Sequence, residues 1–141
     1  MAIEAGSSPA VLTNQNLEVI MAQTESESRL QRRCQEIIKD AKAFVFKTHG
    51  SIFIRAGMPD LIACVPTTEE VLRKMLAEGW FKNGKIGLFV GFETKREDRL
   101  NELSDAQRIV GEEIRDAGGI WYAIDDSDLV QAMMKMIGGK M

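Results

Sequence analysis

The segment Ile86-Gly87-Leu88-Phe89-Val90-Gly91-Phe92-Glu93-Thr94-Lys95 is the clearest strand in the chain. Strand side chains alternate with a period of two, so Leu88, Val90 and Phe92 alternate with Phe89, Gly91, Glu93 and Lys95. Glu93 and Lys95 therefore share a face, with Thr94 opposite, and a carboxylate and an ammonium stand side by side at the strand's end. Gly91, two residues back on the same face, is expected to leave room for an approaching group.

Working back from this strand, Asn83-Gly84 reads as a turn and Thr67 with Glu70 as a capping box. Val71, Leu72, Met75 and Leu76 continue that helix to a stop near Gly79. Further upstream, Gly57-Met58-Pro59-Asp60 is a turn into Leu61-Ile62-Ala63-Cys64-Val65, an apolar run bounded by Pro66. Such a run, apolar on both faces, is expected in the middle of a covered sheet. Asp60 stands at its mouth, either as an ordinary turn residue or as a functional acid.

Working forward, Arg96 to Leu103 is a charged loop, and Ser104 with Gln107 forms a capping box. The helix it opens runs through Val110 and Ile114 to Gly118-Gly119. Gln107 is expected either to cap or to point into a site. Ile120 to Ile124 is the last strand, and Asp125-Asp126-Ser127 caps a terminal helix whose Met133, Met134, Met136 and Ile137 suit a core or dimer face.

The N-terminal third begins with an arm, residues 1–23, that lacks caps and periodicity and is expected to be mobile. Thr24 with Glu27 reads as a capping box opening a helix to about Ala43, with Leu30, Cys34, Ile37, Ile38 and Ala41 as the buried face. Glu27 and Gln31 extend that face by one turn. Glu27 thus has two readings, cap or functional carboxylate at the core's edge. Ala43 to Thr48 is a short strand closed by His49-Gly50-Ser51. His49, beside Lys47, either contacts phosphate or simply occupies a turn.

The chain has 141 residues, 45% hydrophobic and 28% charged, which fits one globular domain with its own core. Cys34 and Cys64 show no metal-site spacing and read as free thiols of a reducing compartment. No apolar run is long enough for a membrane span, and the expected location is the cytoplasm. Net charge is −3, yet Arg29 to Arg55 holds seven basic residues against two acidic ones. That segment either faces phosphates or forms a solvated basic surface.

Glu27 with Leu30-Gln31, Lys47-Thr48-His49-Gly50, Arg55-Ala56-Gly57-Met58-Pro59-Asp60-Leu61, Glu93-Thr94-Lys95, Ser104 to Gln107 and Ala117-Gly118-Gly119 occur in an order that resembles the PD-(D/E)XK nuclease superfamily. Within it the pattern is most similar to the VRR-NUC family of virus-type replication and repair nucleases, over residues 24–126. The resemblance implies an α/β, restriction-endonuclease-like core with a mixed central sheet of about four strands flanked by helices. It also implies a single nuclease domain over 24–141 and DNA phosphodiester hydrolysis dependent on Mg²⁺, with Mn²⁺ as a substitute. The implied site is Glu27, Asp60, Glu93 and Lys95, supported by Gln107. Small members of the family of this kind tend to be homodimers acting on branched DNA such as four-way junctions; a phage-encoded member would work in the host-cell cytoplasm. No membrane or small-molecule cofactor is implied. The chain departs from the family in its arm before Thr24 and in a long insert, about 66–84.

The chemistry of the residues agrees with that implication. Mg²⁺ takes oxygen ligands, commonly one or two carboxylates with waters and substrate phosphate. Asp60, Glu93, Glu27 and the Thr94 carbonyl are the expected metal ligands. A cation so held polarises the phosphate and activates a water. Lys95, an ammonium among carboxylates, is expected to orient that water and offset transition-state charge rather than abstract a proton. Lys47, His49, Ser51, Arg55, Arg29, Arg33 and Arg96 are the expected contacts to nucleic acid. A binding module without turnover and an unrelated α/β domain with an exposed Glu93/Lys95 pair are the competing readings.

Overall fold

A computed structural model describes residues 26–48 and 55–138. The arm 1–23, Thr24, His49 and Ser51 lie outside the described residues. Four α-helices and four strands occur among the described residues, giving a mixed α/β protein. They fall into two compact units that divide between Gly87 and Leu88. No helix among the described residues is long and apolar enough to cross a membrane.

The first unit opens with α1 (Glu27–Asp40). Its N-cap is Ser26, whose hydroxyl accepts from the Arg29 N–H at 3.3 Å. Ser26 stands three residues before Arg29, the spacing a capping oxygen needs. Glu27 is therefore the first helical residue, not the closing member of a capping box on Thr24. The helix ends at Asp40, where Ala41 caps it and Lys42 adopts φ 65°. Cys34 and Ile38 are half-buried, whereas Ile37, expected in the buried stripe, is 64% exposed.

Strands β1 (Phe44–Lys47) and β2 (Leu61–Cys64) pair antiparallel, from Phe44 opposite Cys64 to Lys47 opposite Leu61. Val45 and Cys64 are the buried members of this pair. Among the described residues β2 pairs with β1 alone, and Leu61, Ile62 and Ala63 are half-buried. Burial pushes the Cys64 thiol above its ordinary pKa, because the thiolate is the form that loses hydration. Cys34 and Cys64 are not joined by a disulfide. Helix α2 (Glu69–Ala77) fills the stretch between Pro66 and Gly84. Its N-cap is Thr68, not Thr67: the Thr68 hydroxyl accepts from the Val71 N–H at 3.2 Å. Glu70 thereby leaves the capping role, and Glu69 instead pairs with Arg73 one turn on, at 2.6 Å.

The second unit is a strand, a helix and a parallel strand, followed by a terminal helix. Strand β3 (Val90–Thr94) pairs with β4 (Ile120–Ile124), and α3 (Asp105–Asp116) makes the crossover a parallel pair requires. Pairing begins at Val90, so the strand is shorter than the alternation from Ile86 predicts. Lys95 lies just past it but keeps the ladder going, its N–H donating to the Ile124 carbonyl at 2.8 Å. Gly111 and Ile114 of α3, its C-cap Ala117, and Ile124 of β4 are buried.

Trp121 explains two glycines. It pairs with Gly91 across the ladder, and its indole also lies against α3. A Cβ on Gly91 would come within 3.2 Å of Trp121 Cδ1. On Gly111 it would come within 2.6 Å of Trp121 Cδ2. The space beside Gly91 thus holds the indole and is not open to an approaching group. Arg115 anchors the other end of α3, its Nη2 donating to the Trp121 carbonyl at 2.9 Å and its guanidinium lying 5.4 Å from the Trp121 ring centre. Helix α4 (Ser127–Gly138) follows β4, started by the Asp126 carboxylate, which accepts from the Asp128 N–H at 2.9 Å. Of its methionines, Met133 and Met134 are half-buried and Met136 is 77% exposed.

Gly111→Ala sets a gain in helix propensity of about 1 kcal/mol against an overpacking cost of about 1–3 kcal/mol. The expected result, read from urea unfolding, is net destabilisation, because the indole is rigid and the Cβ overlap is deep. In a Trp121→Leu background the same change should be neutral or stabilising. Destabilisation of equal size in both backgrounds would count against this packing.

Candidate active site

Each unit brings some of the expected site residues together. In the first, Glu27 begins α1 and Asp60 immediately precedes β2, both exposed. One side chain links them. Gln31 Nε2 donates to Asp60 Oδ2 at 3.1 Å and to Glu27 Oε2 at 3.4 Å. Gln31 lies one helical turn after Glu27, so both project over the same surface of α1. The turn carrying Asp60 is fastened to the end of β1. Thr48 N–H donates to the Asp60 carbonyl at 2.9 Å, and the Thr48 hydroxyl donates to the Pro59 carbonyl at 2.6 Å. Gly57, in the same turn, has φ 88°, a conformation that favours glycine.

In the second unit, Glu93 is half-buried near the end of β3 and Thr94 beside it is exposed, as alternation requires. Gln107 both caps and reaches the site residue. Its Oε1 accepts from the Ser104 N–H at 2.9 Å while the Ser104 hydroxyl accepts from the Gln107 N–H at 3.1 Å, completing the capping box. Its Nε2 donates to Glu93 Oε2 at 2.9 Å. The cap orients the amide, since a backbone N–H needs the carbonyl end, and the amino end is left for the carboxylate. Lys95 is half-buried and lines an open hollow of about 650 Å³ with Thr94, Ile124, Asp125, Asp126 and Met134. The hollow lies at the carboxyl ends of two parallel strands, the usual place for ligands in α/β sheets.

The basic residues expected to face phosphate are also distributed by unit. Arg29, Arg33 and Arg55 are exposed and Lys47 half-buried in the first unit, and Arg96 is exposed in the second. Gln31 and Thr48 stand among the residues that carry the family resemblance, but nothing in the sequence ties either of them to Asp60.

The donors are chemically suited to a hard cation: Glu27, Asp60 and Glu93 offer carboxylate oxygens, and each meets a neutral amide. Among the described residues, no group of three or more His, Cys, Asp or Glu side chains is gathered as a metal cage. Two carboxylates completed by water and phosphate is the arrangement Mg²⁺ commonly takes, and Glu27 with Asp60 fits it. Compared with family models, curated proteins and solved structures, the chain finds no match.

Gln107→Glu keeps an acceptor for the Ser104 N–H but turns an oxygen toward Glu93. The variant is expected to lose about 1 kcal/mol, because the Glu93 acceptor then faces an oxygen where the Gln107 amide had offered a donor. Urea midpoints measure this; a Gln107→Glu variant as stable as wild type would remove the Glu93 contact from the account.

Proposed function

We propose that the chain is a divalent-metal-dependent DNA endonuclease, selective for branched structures such as four-way junctions and working as a homodimer. The observation that carries this reading is the meeting of Glu27 and Asp60 at the Gln31 amide. The start of a helix and the mouth of a strand, far apart in the chain, supply two exposed carboxylates to one amide. The reading also holds that the four strands belong to one mixed sheet of a restriction-endonuclease-like core. Two-stranded sheets are marginal alone, and parallel strands are ordinarily covered on both faces.

Glu27 and Asp60 in the first unit, and Glu93 with the Thr94 carbonyl in the second, are the groups that would ligate Mg²⁺, or Mn²⁺ in its place. When bound, the metal supplies Lewis-acid polarisation of the phosphate and charge neutralisation. Lys95 directs its ammonium to the non-bridging phosphate oxygens and to the attacking water. Water adds to phosphorus as the P–O bond to the departing nucleotide breaks; the water gives up one proton to solvent, and the leaving oxygen takes one from solvent. Gln107 keeps the Glu93 carboxylate oriented. Arg29, Arg33, Lys47 and Arg55, with Arg96, neutralise backbone phosphates, and His49 and Ser51 belong to the same expected contact set. A second reading is a nucleic-acid-binding or assembly module that keeps the fold without turnover.

A cleavage panel over linear, flapped and four-way DNA in Mg²⁺ separates the two. Nicking is expected with wild type, strongest on branched substrates. It should fall by about 10²-fold or more in Asp60→Ala and Lys95→Ala, which still unfold cooperatively, and vanish in EDTA. Equal cleavage by wild type and both variants, or indifference to EDTA, would end the mechanism. Binding without cleavage in either metal would favour the module.

DNA affinity should fall linearly with the logarithm of salt concentration, with a slope of about −0.9 for each phosphate neutralised. Replacing Arg29 and Arg33 together should flatten that slope. Binding that ignores salt would take the basic segment out of the interface.

A further inference from the structure

Glu27 and Asp60 belong to different elements, and what aims their carboxylates can be read residue by residue. The main chain at Asp60 is set by β1, through the two Thr48 hydrogen bonds at 2.9 and 2.6 Å. These fix where Asp60 starts but not where its carboxylate points. That direction is set by Gln31 Nε2 at 3.1 Å, and the same nitrogen reaches Glu27 at 3.4 Å. An amide nitrogen carries two hydrogens, so each carboxylate receives one.

The choice of donor matters. Two carboxylates drawn together repel, and something must offset that repulsion before a ligand arrives. A lysine or arginine at position 31 would gather the same oxygens more strongly, but its charge would oppose an incoming cation. A neutral amide gathers them through two modest hydrogen bonds and leaves the pair's negative charge intact.

We infer that Gln31 is a positioning residue that holds Glu27 and Asp60 together in readiness for a divalent cation. The inference rests on the nuclease reading and adds the residue that prepares its acidic pair. Gln31 does not touch substrate; it acts through the two carboxylates. Hydrogen-bond partners of metal-binding carboxylates typically contribute about 10–100-fold to metal affinity, and Gln31 is assigned the lower end of that range because its surroundings are exposed.

The test is Gln31→Met, which keeps length and helix propensity and removes the donor. Mn²⁺ is titrated into metal-free full-length protein and free Mn²⁺ is followed by electron paramagnetic resonance. Affinity is expected to fall about tenfold, with the thermal midpoint in EDTA unchanged. In cleavage assays the Mg²⁺ concentration for half-maximal rate should rise by the same factor, while the rate at saturating Mg²⁺ stays within about twofold of wild type. A purely structural role would lower the midpoint and leave the metal dependence alone. If Gln31→Met binds Mn²⁺ as wild type does, the inference falls and the nuclease reading stands. If wild type itself binds no Mn²⁺, both fall.

Discussion

The indole of Trp121 occupies a gap that the missing side chain of Gly111 leaves for it and that Gly91 eases from the other side. That contact fixes how closely α3 lies on β3, and the position of Glu93 follows from it. Glu93 is two residues after Gly91, on the same face of the strand. Gln107 is four residues before Gly111, on the same face of the helix. A step of two along a strand covers about 6.6 Å and a step of four along a helix about 6 Å. The helix runs back over the sheet, so the two steps keep pace, and Gln107 arrives 2.9 Å from Glu93. The candidate site residue is thus placed by packing one layer below it.

A common device serves both units. Each candidate carboxylate meets a helical glutamine: Gln31 in the first unit, Gln107 in the second. Neutral amides steer acids without cancelling their charge. The two glutamines differ in what else they do. Gln107 starts its helix as well, whereas Gln31 lies within one and is committed to the acids alone.

How much of this was legible in the sequence depended on whether a signal was local. The Ser104 capping box and the strand Ile120 to Ile124 were read as they stand, because a cap is a matter of spacing and this strand is an uninterrupted apolar run. The caps at Ser26 and Thr68 were misplaced by neighbouring residues of the same chemistry; Thr67 and Thr68 differ only in which hydroxyl reaches an N–H three residues on. Ile37 fits the helical stripe but lies outside the face that α1 turns to β1 and β2, which periodicity alone does not fix. Gly91 was read as open space because the sequence cannot show which side chain fills a gap. For the candidate site, Asp60, Glu93 and Lys95 were legible as residue types at strand ends and Glu27 as one at a helix start. The bridge from Gln31 to Asp60 spans the fold and could only be seen in it.

The double duty of Gln107 constrains how this protein can vary. One amide secures the first turn of α3 and orients Glu93, so any replacement is judged at once on folding and on the site. Few side chains offer an acceptor and a donor at that reach, and drift at this position is confined to them. Gln31 carries no such double charge. A chain that abandoned its chemistry could lose Gln31 and keep its fold, so the two glutamines would age differently: one is held by architecture, the other only by use.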